Sequence, residues 1–168
     1  MTPLPGWLGP LVRLEDFDGD PETYLNRLYE IFTRDFITTT PQFKGKRVLF
    51  DSRVENGRVS AFVHITTEEN HTTKQRELAL RRCERLEWVR AIIEHANDPA
   101  ILVWEKEQHT GKRLAKRTYL FLEQDNFLVI LQELKHGNYL ITAIYVDHAR
   151  QKAEHLKAYR GYQNQKSH

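Results

Sequence analysis

One histidine and a cluster of arginines are the groups in this chain best suited to chemistry. His64 lies near the end of the segment Arg58-Val59-Ser60-Ala61-Phe62-Val63-His64-Ile65, and Arg81, Arg82, Arg85 and Arg90 lie within residues 78–93, beyond a polar loop. Imidazole titrates near neutrality when unperturbed, so His64 is a candidate general acid or base. Set out at 100° per residue, Leu78, Leu86, Val89, Ile92 and Ile93 form one apolar stripe. Arg82 falls near the centre of that stripe and Arg85 on its shoulder. A guanidinium aimed into a core is costly unless an anion meets it, so Arg82 marks a candidate anion site. Strand alternation puts Ser60, Phe62 and His64 on one face, and Leu140, Thr142, Ile144 and Val146 on one face of the last strand. If that second row faces the long helix, His64, Arg82 and Thr142 converge. An imidazole to move protons, a guanidinium to hold a phosphate and a hydroxyl to orient it suit phosphodiester cleavage without a metal.

Each of these residues also has a structural reading. His64 is equally a surface or core histidine, Arg82 a partner for a buried acid such as Glu105, and Thr142 a β-branched strand former. Lys112, Arg113, Lys116 and Arg117 cluster at a strand entrance. They are either a solvated edge or a set of phosphate-backbone contacts. His64 and His71 flank Glu68 and Glu69 but lack the HExxH helix of a metal site. Trp88 and Trp104 read as packing residues. There is no P-loop, glycine-rich dinucleotide motif, serine elbow or cysteine nucleophile, and no metal or cofactor is expected.

The elements that must position these groups follow from periodicity and punctuation. Residues 1–12 hold three prolines and two glycines and read as an arm. Asp20-Pro21-Glu22 starts a helix carrying Tyr24, Leu25, Leu28, Ile31, Phe32 and Phe36, which the threonines before Pro41 end. Residues 46–51 read as a short strand, and Asn56-Gly57 as a hairpin turn into a strand over 58–65. A long helix over 78–93 precedes four strands at 101–106, 114–123, 127–134 and 139–146, and a helix over 148–159 closes the chain. Consecutive strands with short turns predict an antiparallel four-stranded meander with helices on one face, hence an α+β class.

The chain has 168 residues, a net charge of +2 and one cysteine, Cys83. One ordinary domain fits that length, and a lone cysteine excludes an internal disulfide. No segment has the apolar length to span a bilayer and no signal peptide is evident, so a cytoplasmic protein without membrane contact is expected. The charge is uneven: residues 44–58 and 112–117 are basic, and 14–30 and 122–125 are acidic. A basic cleft on a near-neutral protein suits a polyanion that is bound briefly and released.

Taken in order, Lys44-Gly45-Lys46-Arg47-Val48-Leu49-Phe50-Asp51, Phe62-Val63-His64-Ile65 and Arg81-Arg82-Cys83-Glu84-Arg85-Leu86-Glu87-Trp88-Val89 resemble the phage-associated branch of the barnase–EndoU–colicin–RelE-like nucleases. Lys116-Arg117-Thr118-Tyr119-Leu120-Phe121-Leu122, Leu140-Ile141-Thr142-Ala143-Ile144-Tyr145 and Lys157-Ala158-Tyr159 extend the resemblance over residues 44–160. It implies a nuclease-like domain there, an added N-terminal arm and helix over 1–43, and a polar tail over 161–168. It also implies metal-independent RNA cleavage by attack of the ribose 2′-hydroxyl on the adjacent phosphate. On that pattern His64 is the acid or base, Arg82 the transition-state anchor and Thr142 the last-strand hydroxyl, while Arg85, Lys116 and Arg117 contact RNA. The implied partners are a structured RNA such as tRNA and, for a toxin, a cognate inhibitor protein. The alternative is a non-catalytic RNA- or protein-binding module on the same fold.

Overall fold

Asp20 opens the first helix, α1 (Pro21–Phe32): its carboxylate accepts the Thr23 backbone N–H at 3.3 Å and proline fills the first helical position. A π-helical turn over Thr33–Thr38 continues it and buries Asp35 and Phe36. Two short strands follow, β1 (Gln42–Phe43) and β2 (Lys46–Leu49). Asn56 and Gly57 both take positive φ, 51° and 83°, and so close the tight hairpin of β3 (Val54–Glu55) and β4 (Arg58–Val59). Next come α2 (Ser60–Thr66), the hairpin of β5 (Thr67–Glu69) and β6 (Arg76–Leu78), and helices α3 (Leu80–Glu84) and α4 (Leu86–Glu94). Four longer strands complete the sheet: β7 (Ile101–Thr110), β8 (Arg113–Leu122), β9 (Phe127–Leu134) and β10 (Gly137–Tyr145). Helix α5 (Ala149–Lys166) closes the chain. This computed structural model describes residues 2–167.

The fold is mixed α+β, with five α-helices and a six-stranded main sheet ordered β1-β2-β10-β9-β8-β7 among the described residues. That corrects the expected four-stranded antiparallel meander, because the sheet is larger and mixed. β2 pairs parallel to β10 through Val48↔Asn138 and Leu49↔Tyr139, and β1 adds antiparallel outside β2. This long-range pairing depends on a close approach: a Cβ at Gly137 would meet the Arg47 carbonyl oxygen at 3.0 Å. The buried Asn138 amide then donates to the Phe43 carbonyl at 3.0 Å and ties β10 to the β1 end.

Each sheet face has its own core. On one, Leu120, Leu122, Val129, Leu131, Leu140 and Ala143 pack against helices α1 to α4 in the main cluster. Residues 2–43 belong to this layer. Tyr24, Leu28, Ile31 and Phe32 of α1 are buried in it, and the Trp88 indole N–H donates to the Gly9 carbonyl at 2.7 Å. On the other face Trp104, Tyr119, Phe121, Leu128 and Val146 meet Leu156, Tyr159 and Tyr162 of α5. The helices therefore cover both faces, not one as the strand order predicted, and α5 runs helical through Lys166.

Candidate functional site

His64 lies on a helix rather than a strand. Ala61, Phe62 and Ile65 are buried, which is helical spacing, and the alternation of Ser60, Phe62 and His64 does not hold. Local hydrogen bonds shape both ends of α2. The Ser60 and Ala61 N–H groups donate to the carbonyls of Arg53 and Asp51. The hydroxyls of Thr66 and Thr67 donate back to the Phe62 and Val63 carbonyls at 2.8 and 2.6 Å, which ends the helix. Seven residues rich in β-branched side chains fit either period, and burial decides between them.

This helix leaves His64 exposed beside Ser60, one turn away, and both residues line two adjoining clefts. The first, about 460 Å³, also carries Asn56, Arg58, Thr67 and Arg76. The second, about 320 Å³, carries Asp51, Arg53 and Tyr139. Partial burial holds the His64 imidazole below its ordinary pKa, and the nearby Arg82 and Arg76 charges push it further the same way. A neutral imidazole at pH 7 can accept a proton. Among the described residues Arg76 is held by Thr67 alone, donating to its hydroxyl at 2.8 Å and its carbonyl at 2.9 Å. Arg53 is bound to Asp51, whose carboxyl it holds down at about 2. Arg58 pairs with Glu22 at 3.6 Å and donates to Asn26 at 2.7 Å.

The inward arginine of the next segment is Arg85, not Arg82. The expected long helix breaks at Arg85 (φ −108°, ψ 15°), which ends α3 and begins α4 and so rotates one face relative to the other. Arg85 is 5% exposed. Its guanidinium binds the Asp125 carboxylate and donates to the Arg81 carbonyl at 2.9 Å, lying over the Trp88 and Tyr145 rings. That explains why a buried cation is tolerated here, and it commits Arg85 to the fold. Arg82 sits at the rim, 3.8 Å from Glu68, in a third cleft with Arg81, Tyr145 and His148. Glu105 is not its partner, because that acid binds Lys44 and Lys116.

Thr142 does not join His64. A β-bulge between Leu140 and Thr142 turns the side chain to the α5 face, where it pairs with Ile130, while Leu140 and Ala143 stay on the face under α1 to α4. Its hydroxyl is buried without a hydrogen-bond partner. Lys116 is bound to Glu105 at 2.8 Å and Glu133 at 3.6 Å. Arg117 sits opposite Lys106 and Gln132 with a buried, unpartnered Nε. Among the described residues no group of three or more His, Cys, Asp or Glu side chains could hold a metal ion, and no helix is long and apolar enough to cross a membrane.

The structure thus brings His64 and Arg82 within electrostatic range, while Thr142 lies on the α5 face of the sheet and lines neither His64 cleft. It also adds Arg76, Arg53 and Tyr139 to the surroundings of His64. Arg76 lies in a polar stretch without a long period that would single it out, and only the three-residue pairing of its strand with Thr67–Glu69 brings it back toward α2. No protein-family model matches the chain, and comparison with characterised proteins and with solved structures found no match.

Proposed function

We propose that the chain is a metal-independent endoribonuclease acting at His64, as its resemblance to the phage-associated barnase–EndoU–colicin–RelE-like nucleases implies. One observation carries the reading: His64 sits where two clefts meet, with Arg76 lining the first of them and bound to no carboxylate among the described residues. His64 takes the proton of a ribose 2′-hydroxyl, and the 2′-oxygen attacks the adjacent phosphorus. The bond from phosphorus to the 5′-oxygen breaks, and that oxygen leaves as a hydroxyl after taking a proton from solvent in the open cleft. The products are a 2′,3′-cyclic phosphate and a free 5′-hydroxyl. Arg76 and Arg82 hold the phosphate as its charge grows. The Tyr139 phenol, whose pKa is raised by burial and by Asp51, stays protonated and can donate to a phosphate oxygen. Thr142 has no role in this version. The expected substrate is a structured RNA such as tRNA, and a host carrying such a nuclease would need a cognate inhibitor.

The test is cleavage of tRNA by His64→Ala beside the parent protein. Loss of a positioned general base lowers the rate about 10²–10⁴-fold. Since His64 is exposed, the melting temperature should stay unchanged. Equal cleavage by the variant removes His64 from the mechanism. A second reading, a non-catalytic RNA-binding module, draws on Arg53 and Arg58 being already neutralised by Asp51 and Glu22. It predicts salt-sensitive RNA binding with no product.

A further inference from the structure

The two strands β7 and β8 pair for ten residues, out to Thr110↔Arg113, but β9 covers β8 only from Arg117 to Leu122. A two-stranded ribbon, roughly residues 106–116, therefore projects beyond the sheet. Its register sorts the charges. Directly opposed residues share a face, so Lys106, Gln108, Thr110, Arg113 and Arg117 lie on one side, while Glu105, Glu107 and Lys116 lie on the other. On the acidic side, Lys44 and Lys116 bind Glu105, whose carboxyl they hold below its usual pKa against the opposing effect of burial. The basic side has no such partner: Lys106, Lys112, Arg113 and Arg117 form no ion pair among the described residues. Arg113 and Arg117 stand four residues apart, about 14 Å along the strand, a span of several backbone phosphates.

We propose that this ribbon is a docking arm for the phosphate backbone of duplex RNA, using Lys106, Lys112, Arg113 and Arg117. The proposal rests on the reading of the chain as an RNA-acting protein and names the form of its substrate. Charge complementarity selects a polyanion, and strands β7 and β8 carry no exposed Trp, Tyr or Phe, which selects a duplex. Single-strand binders stack bases on exposed rings, but Trp104 and Tyr119 of these strands are buried and stacked on each other at 5.2 Å, and Tyr159 and Tyr162 of α5 pack half-buried against their cluster. Duplex RNA is instead gripped through its phosphates and shape.

The test uses the full chain carrying His64→Ala, so that bound RNA is not cut, and measures the binding of a fluorescent 20-base-pair RNA duplex and a 20-nucleotide single strand across a salt series. Adding Lys106→Gln, Lys112→Gln and Arg113→Gln together should weaken duplex binding at least tenfold at 0.1 M salt. It should also make the slope of log affinity against log salt shallower by about three, one for each lost phosphate contact. Arg27→Gln, on the remote helix α1, should leave both quantities unchanged. Unchanged affinity and slope in the triple variant would overturn the docking arm while leaving cleavage at His64 intact. Ribbon-dependent preference for the single strand, or no duplex binding by the parent, would also overturn it, and cleavage of tRNA is then judged separately.

Discussion

The two faces of the sheet are built differently. The face under α1 to α4 is sealed: its core residues are almost wholly apolar, and its one buried cation, Arg85, is bound by Asp125 and the Arg81 carbonyl. The face under α5 is half finished. Helix α5 contributes no buried residue, its N-terminus has no side-chain cap, and buried polar atoms of Arg117, Thr142 and His155 lack partners. The first face has the construction of a stability core, although one carboxylate oxygen of the buried Asp35 lacks a partner. The second keeps unmatched polar groups and free cations, which cost stability and are tolerated where a surface serves another purpose.

Six substitutions test that contrast. The largest effect is expected from Arg85→Ala, which strands Asp125 and should cost about 3–5 kcal/mol by denaturant unfolding. Arg82→Ala, at the rim, should cost less than about 1 kcal/mol. If the two lost the same amount, the distinction between the buried and the rim arginine would fail. Next, Leu120→Ala on the sealed face should cost about 2–5 kcal/mol. Leu156→Ala on α5, only partly buried, should cost markedly less in the same assay. Thr142→Val replaces an unsatisfied buried hydroxyl with a methyl and should be neutral or stabilising by up to about 1 kcal/mol, with RNA cleavage unaffected. A clear loss of stability would mean that the hydroxyl has a partner.

The smallest effect concerns His155. Burial against Trp104, Tyr119 and Phe121 holds its pKa below the ordinary value, and Lys106 pushes the same way against Glu154. The unfolded chain therefore binds this proton first as pH falls through about 6.5, so the folded state loses stability on the acid side. His155→Phe should flatten the stability profile between pH 7.5 and 5.5. The same slope in both proteins would contradict the lowered pKa of this half-buried imidazole.

Much of this architecture was legible in the residues. Asp20-Pro21 marked the start of α1, Asn56-Gly57 marked a tight turn, and the last four strands were placed by alternation and turn residues. Three local events were not legible. The segment from Ser60 to Thr66 is short and β-branched, so its period is ambiguous until Phe62 and Ile65 are seen buried together. The bulge at Ile141 carries no glycine to announce it, yet it moves Thr142 to the opposite face of the sheet. The break at Arg85 follows from what its guanidinium binds forty residues away, at Asp125. The parallel pairing of β2 with β10 is likewise a long-range choice that no window of sequence contains. For the site, His64 was found by its chemistry, whereas Arg76 and Tyr139 required the fold.

The chemistry of the product ends tests whether His64 moves the proton in metal-free RNA transesterification. Purified protein should be incubated with tRNA in EDTA, with His64→Ala in parallel. If His64 has that role, the parent should yield 2′,3′-cyclic phosphate and 5′-hydroxyl ends and the variant none. Ends bearing a 3′-hydroxyl and a 5′-phosphate, or cyclic phosphates formed equally by both proteins, would contradict it.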